Sequence, residues 1–223
     1  VVTIRENSKL ISTLKQNVEE HEVLKHPWLL KRKNFIELKD LHTWLSQEYF
    51  VSVDFVNWFL LASVQATNLE AKIVLVQNIW EELGEGKLEN SHVKILEEFL
   101  NQIQFNFNNL KLFSGTEKYL QRMKEIIEMG FLESLGALGP ANEYLLKLEY
   151  GTIAQSYNAL KQKLNLPEAK FFQVNLNADE SHSKKIFELI EKIAISPEQQ
   201  QRVIRGNLLA LEARILFYEG LPQ

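Results

Sequence analysis

Histidine is scarce in this chain, five in 223 residues, and two of the five stand beside carboxylates at helical spacing. In "NLNADESH", Asn175, Asp179 and His182 fall at i, i+4 and i+7. At 3.6 residues per turn all three share one helix face. In "EELGEGKLENSH", Glu82, Glu85, Glu89 and His92 fall at i, i+3, i+7 and i+10, an arc of about 80° on a continuous helix. Either stretch alone also describes a solvated polar face. Apolar neighbours of the second (Ile79, Leu83, Val93, Leu96, Leu100) favour partial burial, and a divalent cation is one way to offset the cost of burying carboxylates. Two more carboxylates sit in apolar surroundings: Glu48 in "LSQEYF" and Glu143 in "ALGPANEYL". Carboxylates from several helices facing an Asp/His helix could form a carboxylate-bridged two-metal site inside a bundle. Hard oxygen donors with few imidazoles suit Fe(II) or Mn(II) better than zinc or copper. His21, His26 and His42 stand near helix ends, where capping or surface contact accounts for them.

Positioning such residues takes long helices, and the pattern supplies them. Apolar positions predict a helix over about 3–25, broken at "HPW" (26–28), where Pro27 disfavours helical geometry at His26. Asp40 is read as the cap of a helix to about 65, apolar round most of its circumference. A helical period over 67–103 contains Gly84 and Gly86, a kink or brief interruption. "SGTE" (114–117) reads as a capping box opening a helix to about 130. "ESLGALGPANE" (133–143) reads as a Gly/Pro turn before a helix over about 141–163, and Pro167 as first-turn residue of a helix to about 194. Ser196 and Pro197 open the last. The expectation is an all-α, single-domain bundle of about seven long helices spanning 1–223.

Composition narrows the partners. The net charge of −4 gives no electrostatic reason to expect nucleic acid. No apolar run reaches the ~18–20 residues of a membrane span. The chain has no cysteine, hence no disulfide, thiolate nucleophile or zinc–thiolate site. A cytoplasmic protein is expected.

The stretches "LSQEYF", "NIWEELGEGKLENSH", "ALGPANEYL" and "FFQVNLNADESHSKKI", in that order, resemble the haem-oxygenase-like superfamily, in its CADD-like, non-haem di-metal oxidase branch. The resemblance covers nearly the whole chain and implies two irons, or manganese and iron, that activate O2 between core helices. It carries ligand roles onto Glu48, Glu82, Glu143, Asp179 and His182, with a further ligand among Glu85, Glu89 and His92, Glu89 or His92 preferred because Glu85 lies between glycines. The family pattern His-x-x-x-Asp-x-x-His has Asn175 in place of its first histidine, and an amide oxygen is a weak donor for iron. The resemblance also implies a homodimer. The neighbouring TenA-like thiaminases use a cysteine that this chain lacks. PqqC-like quinone synthases use the fold without metal. A haem reading would need His21 or His26 as axial ligand and would leave the sixth-helix carboxylate unexplained, so no haem is expected. The leading expectation is an O2-dependent metal enzyme acting on a small organic substrate, with Tyr49, Phe50 and Trp58 as pocket walls. The alternative is a metal-free relative that binds a ligand or a protein.

Overall fold

The computed structural model describes the backbone of residues 2–223 and the side chains of residues 9–177 and 182–223. Among them are ten α-helices and no strand: α1 (Val2–Glu20), α2 (Pro27–Arg32), α3 (Leu38–Gln65), α4 (Leu69–Glu82), α5 (His92–Gln102), α6 (Ser114–Glu128), α7 (Phe131–Leu138), α8 (Leu145–Leu164), α9 (Lys170–Ile193) and α10 (Pro197–Glu219). The all-helical expectation holds; the number is larger because the expected helix over 67–103 is divided into α4 and α5, and because α2 and α7 form where a break and a turn were expected. No helix among the described residues is long and apolar enough to cross a membrane.

The central helix is α3. Five consecutive residues, Trp44 to Glu48, are buried, so neighbours cover nearly its whole circumference. Its N-cap is Glu37 rather than Asp40; Asp40 lies in the first turn, where its carboxylate suits the helix dipole and accepts from Arg32 Nε at 2.8 Å. Buried apolar residues from α1 to α10 form one contiguous core. Along one side of it, α7 and α10 approach backbone to backbone. A Cβ on Gly136 would lie 1.9 Å from the Val203 carbonyl oxygen, and one on Gly206 2.0 Å from that of Glu133.

Local chemistry set several boundaries differently from the pattern. The "SGTE" capping box does not form: Phe113 is the N-cap of α6 and no side chain caps it. Gln47 takes over that end, its Oε1 accepting from Phe113 N at 3.0 Å and from Thr116 Oγ1 at 2.8 Å. Pro167 lies outside α9, whose N-cap is Ala169, and its carbonyl accepts from Tyr157 OH at 2.6 Å. The expected Gly/Pro turn is helical throughout: α7 passes into a π-helical segment, Gly139–Tyr144, and then into α8. Pro140 offers no N–H to the ladder. Asn142 compensates, its Nδ2 donating to the Ala137 carbonyl at 2.8 Å while its Oδ1 accepts from Tyr119 OH at 2.8 Å. The last helix has its capping box, with Ser196 and Gln199 bonded reciprocally.

Candidate metal centre

Helix α4 ends at Glu82, where two 3-10 turns, Gly84–Gly86 and Leu88–Asn90, replace the continuous helix. Glu85, inside the first of them, has φ 54°, and its flanking glycines are also left-handed. The chain re-enters a helix at His92, with Ser91 as N-cap. The arc drawn for an unbroken helix therefore does not exist. Glu82 and His92 meet because the interruption turns the chain, setting His92 Nδ1 2.8 Å from Glu82 Oε2.

From α9, His182 enters the same space, fully buried. Its Nδ1 lies 3.5 Å from Glu82 Oε1 and 3.5 Å from Glu143 Oε1. Glu143 comes from the π-helical segment, a kind of distortion found often at functional sites, and it is also fully buried. Ligand atoms of Glu82, Glu143 and His182 lie within 4.8 Å of one another. Glu82 thus stands between two imidazoles, one oxygen toward each ring.

Hydrogen bonding fixes these groups from outside and leaves them unsatisfied inside. His182 Nε2 lies 2.7 Å from Glu81 Oε2, and Lys185 Nζ donates to Glu81 Oε1 at 2.8 Å. Burial alone would raise the Glu81 carboxyl, but the bonds and charges of Lys185 and His182 outweigh it and hold it below its usual value. An ionised Glu81 takes the Nε2–H, so Nδ1 is the nitrogen directed at Glu82 and Glu143, protonated in the metal-free site and a lone-pair donor once a cation displaces that proton. Asn78 Nδ2 likewise donates to Glu143 Oε1 at 2.9 Å. Glu143 Oε2, His182 Nδ1 and His92 Nδ1 are buried with no aligned hydrogen-bond partner. Nearly all buried polar atoms in native proteins are satisfied; Glu143 Oε2 and His182 Nδ1 belong to the one cluster whose ligand atoms lie within 4.8 Å, which fits a cation there, while His92 Nδ1 lies on the other oxygen of Glu82. Burial would depress both imidazoles, but the carboxylates outweigh it. His182, beside Glu143 first and then Glu82, is pushed up to about 9, and His92 is raised by Glu82. The site's field demands positive charge.

A cavity of about 20 Å³ adjoins the cluster, room for an ion or a water and not for an organic molecule. Its walls are Val51, Phe55, Leu146 and Tyr150, with Glu82, His92 and Asn175 on the polar side. Asn175 Nδ2 is committed to the Phe171 carbonyl at 2.8 Å, so its amide oxygen is the atom left for other contacts. The side chain of Asp179 lies outside the described residues.

The other candidates are placed elsewhere. Glu85 and Glu89 are exposed. Glu48 is buried but engaged: Arg214 Nη2 bonds its Oε1, and Tyr150 OH donates to its Oε2 at 3.2 Å. Arg214 also donates to Glu149 Oε2 from Nη2 at 2.7 Å and from Nε at 3.1 Å. With one guanidinium between two buried carboxylates, burial, reinforced by the Glu149 charge and opposed by Arg214, pushes Glu48 up to about 7. Tyr49 donates to Glu97 Oε1 at 3.1 Å and meets Phe50 edge to face. Trp58 packs on Phe55 and Tyr119 and borders a groove of about 590 Å³ between α3 and α6, larger than the cavity at the cluster but lined by none of its residues. His21 and His26 each accept a backbone N–H as helix caps, and His42 Nε2 lies 2.9 Å from the Ile103 carbonyl. Glu81, Asn78 and Tyr150 carried no spacing signal.

Residues 42–215 match the model of a protein family described as iron-containing redox enzymes. No curated protein matches significantly in sequence. The fold is that of a CADD-like protein of unknown function from Nostoc punctiforme (TM-score 0.76, 17% identity, covering 98% of this chain and 100% of that one). A haem-oxygenase-like domain from Shewanella denitrificans is similar (0.72, 19%, covering 95% and 90%). So is a TenA homologue from Pseudomonas syringae pv. tomato (0.72, 14%, covering 98% and 91%).

Proposed function

Because the chain belongs to the family of iron-containing redox enzymes with a haem-oxygenase-like fold, we propose that it is an O2-dependent non-haem oxidoreductase of a small organic substrate, with two irons or manganese and iron as its metals. The observation that carries the reading is a buried Glu82 lying between two imidazole nitrogens, Oε2 2.8 Å from His92 and Oε1 3.5 Å from His182. One position is held by Glu82, Glu143 and His182. A second would be held by His92, the amide oxygen of Asn175 and the other oxygen of Glu82. Asn175 makes this second position the weaker, since a neutral amide oxygen does not match imidazole. Iron bound there would supply electrons for the reduction of dioxygen.

The chain's own residues do the rest. Glu81 keeps a proton on His182 Nε2 so that Nδ1 is the donor atom facing Glu82 and Glu143. Asn78 orients Glu143 through Oε1 and leaves Oε2 for the ion. Val51, Phe55 and Leu146 exclude water, which strengthens every charge interaction inside. Tyr150, its OH held by Glu48, is the polar group in that wall. A metal-free, ligand-binding role of the PqqC kind fits less well, because it leaves Glu143 Oε2 and His182 Nδ1 buried with no partner. The test is oxygen uptake by the Fe(II)-loaded chain with a panel of small acids and amines. Uptake that is substrate-stimulated, and lost in Glu143→Ala, supports the reading. Equal uptake by both proteins defeats it.

A further inference from the structure

Side chains from α3, α8 and α10 seal three charged groups together, and their charges do not cancel. Glu48, Glu149 and Arg214 are each fully buried. Arg214 serves both carboxylates and is, among the described residues, the one basic side chain that bonds either. One cation between two carboxylates leaves a negative charge out of water, which a buried carboxylate relieves by taking a proton. The bonds show which one takes it. Glu149 Oε2 holds the guanidinium through Nε at 3.1 Å and Nη2 at 2.7 Å, as an ion pair does. Glu48 has a single guanidinium bond, from Nη2 to Oε1, and its Oε2 faces the Tyr150 hydroxyl at 3.2 Å. Tyr119 from α6 and Tyr218 from α10 also face the group, and burial raises both phenols, so they add no charge. Burial, opposed by Arg214 and reinforced by Glu149, pushes Glu48 up to about 7.

Tyr150 joins this group to the candidate metal centre. Its hydroxyl is bonded to Glu48, and its side chain stands in the wall of the small cavity that Glu82, His92 and Asn175 also line. We propose that Glu48 is the buried proton store of that cavity and that Tyr150 hands its proton on, an inference that rests on the dioxygen reading above. Reduction of dioxygen consumes protons as well as the electrons that Fe(II) supplies, and a cavity of about 20 Å³ holds no bulk water to provide them. With Glu48 ionised, the phenol donates to Oε2. With the proton on Oε2 the contact reverses, Oε2–H donating to the phenol oxygen, and the phenol hydrogen turns toward the cavity. The transfer balances without moving an electron. The Tyr150 O–H bond breaks as its proton passes to a basic oxygen formed from dioxygen, and the Oε2–H bond breaks as its proton rebuilds the phenol. Glu48 is left as a carboxylate against Arg214. Arg214 stabilises the emptied store, and the Glu149 charge favours its refilling. Tyr150 is thus the group that meets the reacting atoms, and Glu48 acts through it.

The test is infrared spectroscopy of the full chain, which reads the carbonyl stretch of a protonated carboxylic acid apart from carboxylate and amide bands. The metal-free parent is expected to show such a band, fading as pH rises through about 7 and absent from Glu48→Gln. In Tyr150→Phe, which keeps the ring and its packing, the band stays and shifts, because the carboxyl has lost its hydrogen-bond partner. Should Glu48→Gln not fold, that shift identifies the band. In the Fe(II)-loaded parent below pH 7, admitting oxygen removes the band as the iron is oxidised; in Tyr150→Phe its loss is at least about 100-fold slower. No acid band, a band that survives Glu48→Gln, or one that Tyr150→Phe leaves unshifted overturns the inference, as does a band lost equally fast in both iron-loaded chains. Iron that stays ferrous in oxygen defeats the dioxygen reading and this inference with it, whereas a missing band defeats the inference alone.

Discussion

Replacing Glu81 by Gln tests whether the buried cluster is built for a metal or merely for itself. Glu81 touches neither orphaned oxygen nor the cavity; it acts through His182 alone, 2.7 Å from Nε2, with Lys185 on its other oxygen at 2.8 Å. Glutamine keeps the shape but cannot serve both neighbours. If its amide oxygen faces His182, its NH2 faces the Lys185 ammonium. If the NH2 faces Nε2, the ring proton moves to Nδ1 and the lone pair aimed at Glu82 and Glu143 is lost. Loss of such an outer partner typically weakens metal binding about 10–100-fold, which is about 1.4–2.7 kcal/mol. The Glu81 side chain is 28% exposed, so the metal-free fold should lose less than about 1 kcal/mol. Anaerobic competition of the chain against a chromophoric Fe(II) chelator reads the affinity, and thermal unfolding of the metal-free protein reads the fold. Weakening of that size with the melting curve in place is the expected outcome. An affinity within twofold of the parent would refute the claim that Glu81 sets the tautomer of a ligand.

Three further outcomes are expected. Glu85→Ala and Glu89→Ala, both exposed, should leave Fe(II) affinity unchanged in the same competition assay, while His92→Ala lowers the number of ions bound at excess iron. Gly136→Ala, whose Cβ would meet the Val203 carbonyl oxygen at 1.9 Å, should cost more than about 3 kcal/mol in urea unfolding, because backbone in contact with backbone cannot yield as a side chain can. Glu48, raised to about 7 by burial first and by Glu149, binds its proton more tightly folded than unfolded; its contribution to stability is present in full below the usual carboxylate value and is lost as pH rises through 7. Glu48→Gln should therefore flatten the decline in unfolding free energy between pH 5 and pH 8 relative to the parent, and two denaturation curves per protein would show it.

The parts of the site legible in sequence were those carried by motif. Glu82, Glu143 and His182 were each singled out, and the structure brings them together; His92 was one of three alternatives, and burial separates it from Glu85 and Glu89. What spacing missed depends on contacts across the chain. Glu48 reads as a lone carboxylate in an apolar helix, and nothing local shows that Arg214, 166 residues away, occupies it. Glu81 is one glutamate among several until His182 is seen beside it, 101 residues away. The Gly-Pro stretch looks like a turn because Pro140 removes a donor, yet Asn142 repairs the ladder and the helix continues as a π segment. The "SGTE" box fails because the helix begins one residue earlier: Phe113 is the N-cap and Glu117 N donates to its carbonyl at 2.9 Å, while Gln47, on another helix, holds the Phe113 N–H and the Thr116 hydroxyl. Leu69, Ile73, Val76, Trp80 and Leu83 have the 4-3 spacing of a core-facing stripe on α4, and only their exposure shows that they are not one.

The central claim is that Glu82, Glu143 and His182 hold a metal ion. It is tested most directly by counting ions per chain after anaerobic loading with Fe(II) and removal of excess, for the parent and for His182→Ala, by elemental mass spectrometry beside circular dichroism. The account expects at least one retained iron per parent chain and none in a folded His182→Ala chain. A parent that retains no iron, or a variant that retains as much as the parent, would contradict it.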